Sequence, residues 1–231
     1  MFISFEGGDG SGKTTQIALL ARLLETRGQD VLLTREPGGT PIGERIRQVL
    51  LDPDCGEMSP VTEMLLYAAA RAQLAREVVM PALATGKTVI TDRWLDSSLV
   101  YQGVARGLGR AVAEVNRHAT GGLLPDITFL LDIDPETGLE RARGSKAVPR
   151  KNSSLPDAPG RDRIEAEGVL WHRTVREGFL SLARKHPERF AVIDAAGTPE
   201  EVHRRIVRQY ERRAAGPEGE GTHGDSGGKN G

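Results

Sequence analysis

Eight residues near the amino terminus have the types and spacing of a phosphate-binding loop. The run Gly7-Gly8-Asp9-Gly10-Ser11-Gly12-Lys13-Thr14 fits the pattern G-x-x-x-x-G-K-T. Glycines allow consecutive backbone N–H groups to turn inward around phosphate oxygens. Lys13 offers a positive charge to the β- and γ-phosphates, and Thr14 offers a hydroxyl to Mg²⁺. These residues predict a site for the phosphates and magnesium ion of a nucleotide.

The loop lies between a predicted strand and a predicted helix, which is the context that the motif requires. The apolar run 2–5 precedes it. After it, apolar residues recur at helical spacing up to Gly28, which fits the end of a helix: Ile17, Leu20, Ala21 and Leu24. The amino terminus of that helix adds a dipole that favours anions. A glycine-rich turn that matched by accident would lack this setting.

Five short apolar runs predict the strands of one sheet. They do not alternate apolar with polar residues, which is typical of strands buried on both faces. Helical stretches separate the runs, so we expect a parallel five-stranded sheet in a three-layer α/β/α fold. The runs are Phe2–Phe5, Val31–Leu33, Thr88–Thr91, Ile127–Leu131 and Phe190–Ile193.

A charged residue follows each run within two positions. Parallel sheets bind ligands at the carboxyl ends of their strands, so these charges should gather near the phosphate-binding loop. They are Glu6, Arg35, Asp92, Asp132 and Asp194.

Capping signals place the starts of three helices. Ser59-Pro60 and Asp134-Pro135 put a capping side chain before a proline, and the run 198–201 is a capping box. We expect long helices over 61–83 and 163–185. Residues 1–215 should form one domain, and residues 216–231, which lack apolar side chains, should be a disordered tail.

Composition limits the classes of function. A formal net charge of −1 argues against general nucleic-acid binding. The single cysteine, Cys55, excludes an intrachain disulfide, and no apolar run approaches the roughly 20 residues of a membrane span. With a strand at the very start of the sequence, there is no room for a signal peptide. We therefore expect a cytoplasmic protein with no nucleic-acid or membrane partner.

The rest of the sequence favours a kinase among phosphate-binding proteins. A GTPase should carry an N-K-x-D motif, which is absent, and the D-x-x-G match at 157–160 lies in an irregular stretch. Asp92 and Arg93 directly follow a strand, which would put a carboxylate near the metal and an arginine beside the phosphoryl group. An arginine-rich segment, about 143–161, could close as a lid over the phosphates. The alternative for these arginines is a solvated surface.

Three longer motifs carry a resemblance to a known family. They are F-E-G-G-D-G-S-G-K-T-T-Q at 5–16, T-R-E-P-G-G-T at 34–40, and D-R-W with S-S and Y-Q-G at 92–103. Together they resemble bacterial thymidylate kinases over about 2–210. The resemblance implies a nucleoside monophosphate kinase type of P-loop NTPase fold, usually a homodimer. It also implies transfer of the γ-phosphoryl group of ATP to dTMP, with Mg²⁺.

The resemblance assigns roles to residues around both nucleotides. The residues that would bind ATP are Gly7, Gly8, Asp9, Gly10, Ser11, Gly12, Lys13, Thr14, Thr15, Arg141 and Arg143. The residues that would bind Mg²⁺ are Thr14 and Asp92. Arg93 would bridge the two phosphates, and Asp9 would meet the deoxyribose 3′-OH. As an alternative, Asp9 could serve only local hydrogen bonding in the turn.

On the dTMP side, the resemblance implies a ring that stacks on thymine and an arginine that donates to a base carbonyl. Tyr67 and Arg71, one helical turn apart, match this pair, although Tyr67 could be plain core packing. Ser98 would reach the pyrimidine edge and Tyr101 would disfavour a 2′-OH, unless both are ordinary helix residues. The remaining substrate residues implied are Glu36, Pro37 and Gln102, and a cis peptide is plausible before Pro37.

One departure concerns the lid. The variable positions of the loop, 8–11, contain no basic residue, so arginines of the lid must supply the charge. The lid is longer than usual in the family. This leaves open which of Arg143, Arg150, Arg161 and Arg163 reaches the phosphates, and we take Lys13, Arg93, Arg143, Arg163 and Asp9 as the catalytic set.

Two other functions stay open. One is a kinase of the same fold that acts on another nucleoside monophosphate, such as dCMP or dGMP. The other is a switch protein that binds ATP without an acceptor, whose turnover would be independent of dTMP.

Overall fold

The fold is a five-stranded parallel sheet with helices on both faces, as the sequence predicts. The computed structural model describes residues 1–144, 164 and 167–214. The strands are β1 Phe2–Glu6, β2 Val31–Arg35, β3 Thr88–Asp92, β4 Ile127–Asp132 and β5 Phe190–Asp194. They are all parallel and lie in the sheet order β2-β3-β1-β4-β5.

Nine α-helices are present in the part of the chain just defined. They are α1 Lys13–Thr26, α2 Pro41–Leu51, α3 Pro60–Leu74, α4 Met80–Ala84, α5 Leu95–Ser98, α6 Arg110–Thr120, α7 Pro135–Gly144, α8 Val169–Lys185 and α9 Pro199–Ala214. None of the helices in the described residues is both long and apolar enough to cross a bilayer.

The predicted capping signals start the helices where expected. The Ser59 hydroxyl accepts the N–H of Thr62, and the Asp134 carboxylate accepts the N–H groups of Glu136 and Thr137. Thr198 and Glu201 accept each other's backbone N–H, which completes the capping box of α9. After the carboxyl end of α1, Gly28 adopts a left-handed conformation, as expected for a residue that ends a helix.

The sheet has a hydrophobic core on each face. On one face α1 and α9 pack on the central strands through residues such as Leu20, Phe129 and Ile206. On the other face, Trp94 and Phe179 belong to two clusters that join the sheet to α3, α4 and α8. Burial of both faces explains why the strand sequences are continuously apolar.

Two helix predictions need correction. The predicted helix 163–185 begins only at Val169, since Gly168 is extended at its amino-terminal cap and Glu167 lies in a bend. The predicted helix 61–83 continues from Pro60 to Ala84, but a π-helical turn at Ala75–Val79 separates α3 from α4. A second π-helical segment, Leu99–Ala105, follows α5 and was not predicted.

The sheet brings the strand-end charges to one edge. Phe5 pairs with Asp92 between β1 and β3, and Arg35 pairs with Asp92 between β2 and β3. Each strand ends on the charged residue that follows its apolar run. The predicted lid beyond Gly144 and the predicted tail 216–231 lie outside the described residues.

Candidate active site

The phosphate-binding loop joins β1 to α1, as the motif requires. Gly7 has φ +134°, and a Cβ atom there would lie 2.5 Å from the carbonyl oxygen of Leu131. Gly10 has φ +68°, and its Cβ would overlap the carbonyl oxygen of Gly138 in α7. Side chains at these positions would disrupt the loop, because β4 and α7 pack directly against it.

Lys13 lies within the loop and is almost fully buried. Its ammonium donates to the carbonyl oxygens of Gly7 at 3.1 Å and Gly8 at 2.9 Å. Burial, followed by the nearby charge of Arg93, lowers the pKa of Lys13 to about 8. A phosphate beside this ammonium would favour its charged form.

Thr14 and Asp92 are adjacent at the strand edge. The Thr14 hydroxyl donates to a carboxylate oxygen of Asp92 at 3.3 Å. Across the described ranges, no group of three or more His, Cys, Asp or Glu side chains could hold a metal alone. This donor set fits Mg²⁺, which commonly uses one or two protein oxygens together with substrate phosphates and water.

Arg93 occupies the corner after β3 in a conformation that is uncommon for a side-chain-bearing residue. Its φ is +71°, and it is the one non-glycine residue with positive φ in the described chain. Its guanidinium donates to the Gly7 carbonyl at 3.0 Å, to Ser97 at 3.2 Å and to Asp9 at 3.0 Å. Burial lowers the pKa of Arg93, but Tyr101, Asp9 and Asp92 outweigh it and raise the pKa above its usual range. Arg93 is therefore a fixed cation beside the phosphate-binding loop.

Asp9 pairs with Arg93 through one carboxylate oxygen only. The other oxygen, Oδ2, is buried and has no hydrogen-bond partner. Buried polar atoms are normally satisfied, so this oxygen is available to a ligand donor such as a hydroxyl.

Arg71 anchors the far side of the cleft through four contacts. Its guanidinium donates to Glu36 at 2.6 Å, to Ser98 at 2.9 Å, to Asn116 and to the Trp94 carbonyl at 3.3 Å. Five N–H groups are available on a guanidinium, so one is left for a ligand acceptor. Glu36 likewise has one buried oxygen, Oε1, without a partner.

The same cleft is also lined by Tyr67, Ser98, Tyr101 and Gln102. Tyr67 is only half-buried and belongs to none of the core clusters of the described residues, whereas Tyr101 also packs in the core against Phe179. The consecutive residues Tyr101 and Gln102 both face the cleft from the π-helical segment. Its wider turn differs from an α-helix, and such turns occur frequently at functional sites.

One cleft of about 560 Å³ contains both groups of residues. The lining includes residues of the phosphate-binding loop with Asp92 and Arg93. Tyr67, Arg71 and Gln102 contribute to it from α3 and the π-helical segment. Four lining residues each contribute a buried polar atom without a partner: Asp9 Oδ2, Arg35 Nη1, Glu36 Oε1 and Tyr101 Oη. Their number indicates a cleft shaped for a polar ligand.

Some lining residues were missed by the sequence analysis as site residues. Arg35 was named as a strand-end charge and within the motif at 34–40 but given no role in the site, whereas it lines the cleft and pairs with Glu44 at 2.9 Å. Arg47 of α2 also lines the cleft and donates to the Pro37 carbonyl at 3.1 Å. The peptide before Pro37 is cis, as the resemblance suggested. Asn116, an Arg71 partner, gave no sequence signal because a lone Asn in a helix has many uses.

The lid arginines are only partly described. Arg141 lines the cleft and donates to the Ala195 carbonyl at 3.1 Å, while Arg143 is exposed in the last turn of α7. Arg150, Arg161 and Arg163 lie outside the described residues. Their predicted contact with phosphates stays a prediction.

Glu36 gives the site a pH-dependent effect on stability. Burial raises the pKa of Glu36 from 4.5 to about 7, and Arg71 opposes this only in part. A raised carboxyl pKa stabilises the fold most below pH 4.5, and this contribution is lost as the pH rises to about 7. Between pH 5 and pH 8, the unfolding free energy of the wild type should therefore fall relative to that of Glu36→Gln.

Urea unfolding of both proteins across this pH range measures the difference. Glu57→Gln, which changes an exposed glutamate, is the control and should follow the wild type. A constant difference between wild type and Glu36→Gln would show that the Glu36 carboxyl does not titrate as described.

Comparison with known proteins points to one family. The family model for thymidylate kinase matches residues 5–206. A thymidylate kinase of Desulfosudis oleivorans is 51% identical over 213 residues, covering 92% of this chain and 97% of that protein. One of Caldanaerobacter subterraneus is 49% identical over 216 residues, covering 93% and 97%. The crystal structure of thymidylate kinase from Ehrlichia chaffeensis superimposes with a TM-score of 0.71 at 32% identity, over 91% of this chain and 98% of that one.

Proposed function

The chain belongs to the thymidylate kinase family, and from this premise we infer that it transfers the γ-phosphoryl group of ATP to dTMP. The products are dTDP and ADP. The observation that carries this function is one shared cleft, which joins the phosphate-binding loop to a buried arginine and a half-buried tyrosine suited to a nucleobase. One cleft of this kind can hold two nucleotides with their phosphates facing each other.

We propose that the P-loop binds the phosphates of ATP. Backbone N–H groups of 7–14 and the amino terminus of α1 favour anions, and the Lys13 ammonium is already held in the loop by two carbonyls. Arg141 and the exposed Arg143 of α7 lie beyond the loop, on the helix that packs against Gly10. They are the described part of the proposed lid, which would exclude water from the reaction.

The acceptor phosphate is proposed to lie beside Arg93, with Arg35 and Arg47 on its other side. A phosphate monoester has a second pKa of about 6, so dTMP is largely a dianion at pH 7 and needs no general base. The task of the site is to hold two anionic groups in line, which can supply several kcal/mol of the barrier. Arg93 offsets their repulsion, and Asp9 Oδ2 would accept the 3′-OH of the sugar.

The thymine base is proposed to lie at the Tyr67 and Arg71 end. Tyr67 offers a ring for stacking, and Arg71 offers its remaining N–H to a base carbonyl. Ser98 and Asn116 hold that guanidinium in place. Gln102 and Tyr101 would border the base and sugar.

The proposed magnesium ligands lead to a test by metal removal. Bound Mg²⁺ would neutralise charge that develops on the phosphates during transfer. Chelation by EDTA should stop turnover, and Asp92→Asn should raise the Mg²⁺ concentration for half-maximal rate about tenfold or more. The matched control is Asp194→Asn, a strand-end carboxylate on β5 outside the cleft. Equal magnesium dependence in Asp92→Asn and wild type would contradict this ligand assignment.

We also propose a homodimer formed through α2 and α3. These helices pack side by side and expose apolar residues on their outer surface: Ile42, Val49, Val61 and Leu65. Light scattering should give twice the chain mass of 25.0 kDa. Leu65→Asp should shift the mass to one chain, whereas Leu170→Asp on α8, at a more exposed leucine, should not. A monomeric wild type, or a dimer insensitive to Leu65→Asp, would refute the proposed interface.

Other parts of the proposal come from the sequence. The domain limits 1–215, the lid at about 143–161, the tail 216–231, the cytoplasmic location and the lack of a nucleic-acid partner remain predictions.

A coupled assay for ADP release across nucleoside monophosphates tests the proposed function. We expect ATP turnover to depend on dTMP and to be much slower with dCMP, dGMP or dAMP. Faster turnover with another monophosphate would favour the related kinase. Turnover that ignores every monophosphate would favour the ATP-dependent switch.

A further inference from the structure

Glu6 is a buried carboxylate next to the active site that the mechanism above does not use. It is the last residue of β1, directly before the phosphate-binding loop, and it is 0% exposed. Its side chain does not line the cleft. A buried carboxylate is costly unless hydrogen bonds hold it, so its contacts are informative.

Both oxygens of Glu6 accept from the chain that follows Arg93. Oε1 accepts the backbone N–H of Trp94 at 2.8 Å, and Oε2 accepts the Ser97 hydroxyl at 2.6 Å. The first contact fixes the peptide that joins Arg93 to Trp94. The second fixes the hydroxyl of Ser97, whose oxygen accepts from the Arg93 guanidinium at 3.2 Å.

The backbone of Arg93 needs such support. Its φ of +71° is unfavourable for a residue with a side chain, and such conformations persist only where the surroundings enforce them. Its N–H donates to the Phe5 carbonyl at 2.9 Å, and its own carbonyl accepts from the Thr91 hydroxyl at 2.8 Å. Glu6 adds a contact with the following peptide, at the N–H of Trp94. Unlike the other two contacts, Glu6 is also linked to the Arg93 guanidinium, through the Ser97 hydroxyl.

The charge of Glu6 is consistent with a role beyond packing. Burial, and then the nearby carboxylate of Asp96, raises the pKa of Glu6 to about 7, while Arg93 opposes this. An apolar or neutral side chain would fill the same space without this penalty. A carboxylate offers one acceptor oxygen to each of the two donors here, which an apolar side chain cannot do.

We propose that Glu6 is a positioning residue that holds Arg93 in its left-handed turn and orients its guanidinium, through Ser97, toward the transferring phosphoryl group. This inference rests on the proposed function of Arg93. Glu6 touches neither nucleotide, so it acts on the reaction only through Arg93.

The variant Glu6→Gln tests the proposal in the full chain. Glutamine keeps the size and can still accept from Trp94, but its amide N–H groups cannot accept from Ser97. We expect kcat to fall about 10–100-fold, by analogy with the outer partners of metal ligands. KM for ATP and for dTMP should each change less than about threefold, because ground-state binding is retained.

The same substitution in an Arg93→Ala background separates positioning from general damage. If Glu6 acts through Arg93, Glu6→Gln should have almost no further effect on kcat there, since residues that act as a unit are not additive. An equal fold-decrease in both backgrounds would overturn the proposal. An unchanged kcat in the single variant would also overturn it.

Asp96→Asn is the matched control. Asp96 is equally buried at the same corner, but it pairs with Arg189 at 2.6 Å and not with Arg93 or Ser97. We expect it to lower the melting temperature and leave kcat per folded molecule unchanged. If Asp96→Asn lowered kcat as much as Glu6→Gln does, the role of Glu6 would be structural only.

Ser97→Ala provides a second route if Glu6→Gln does not fold. It removes the link between Glu6 and the guanidinium but keeps the contact with Trp94. The proposal expects a lower kcat that again disappears in the Arg93→Ala background, and a loss that persists there would overturn it. Wild-type turnover with dTMP is measured alongside, so failure of the proposed function itself would be recognised separately.

Discussion

Replacement of Arg93 by alanine should lower kcat about 10³-fold, which is the usual scale for an arginine that stabilises phosphoryl transfer. Its guanidinium is held between Asp9, Ser97 and the Gly7 carbonyl, next to the phosphate-binding loop. Because charge develops between donor and acceptor in the transition state, the contact strengthens as the reaction proceeds. KM for ATP should therefore rise far less than kcat falls.

Steady-state kinetics with both substrates varied would measure this effect. Arg76→Ala, which removes an exposed arginine outside the cleft, serves as the control and should match the wild type. Circular dichroism would check that Arg93→Ala is folded, since alanine also disfavours a positive φ. A variant with altered KM and unchanged kcat would refute the assigned role.

Replacement of Arg71 by methionine should destabilise the protein by about 3–5 kcal/mol at pH 8. The loss arises because Glu36 would be buried without its cation, and Ser98 and Asn116 would lose a common donor. For a chain of this size, the melting temperature should fall by roughly 10 °C. The measurement is made without nucleotides, so it tests the architecture of the site independently of its function.

The double variant Arg71→Met with Glu36→Gln provides the comparison. It removes the unpaired charge, so it should be more stable than Arg71→Met alone. The difference in unfolding free energy between wild type and Arg71→Met should also shrink toward pH 5, where Glu36 can be neutral. If the unfolding free energy of Arg71→Met lay within about 1 kcal/mol of the wild-type value at pH 8, the buried pair of Arg71 and Glu36 would not be charged as described.

Much of the fold could be predicted because it depends on local signals. Each apolar run became a strand, because a parallel sheet is buried on both faces, and the charge after each run is the last residue of that strand. Ser59, Asp134 and Thr198 started their helices because capping is decided by neighbours in sequence. The order of the strands cannot be deduced from such signals, and it was not predicted.

The active site was predictable to the extent that its residues belong to motifs. Lys13, Arg93 and Arg71 were named from the sequence, and the fold brings all three to one cleft. Arg47 and Asn116 were missed because each is a single polar residue in a helix, and its meaning depends on a partner distant in sequence. Arg47 lies ten residues from Pro37, and Asn116 lies 45 residues from Arg71.

The wrong predictions have local causes. The start of the helix Val169–Lys185 was predicted too early because 163–168 contains helix-forming residues. In the structure, Gly168 is the residue at the amino-terminal cap of this helix. The π-helical segment Leu99–Ala105 was missed because one extra residue per turn hardly alters an apolar pattern. Tyr101 and Gln102 of this segment both line the cleft.

If one cleft holds ATP and dTMP with their phosphates in line, as proposed, the γ-phosphoryl group passes directly between them. The most direct test uses ATP radiolabelled on its γ-phosphate, mixed with the protein, Mg²⁺ and dTMP. We predict that the label appears in dTDP in the same amount as ADP is formed. Label that appears only in inorganic phosphate, at a rate independent of dTMP, would contradict the account.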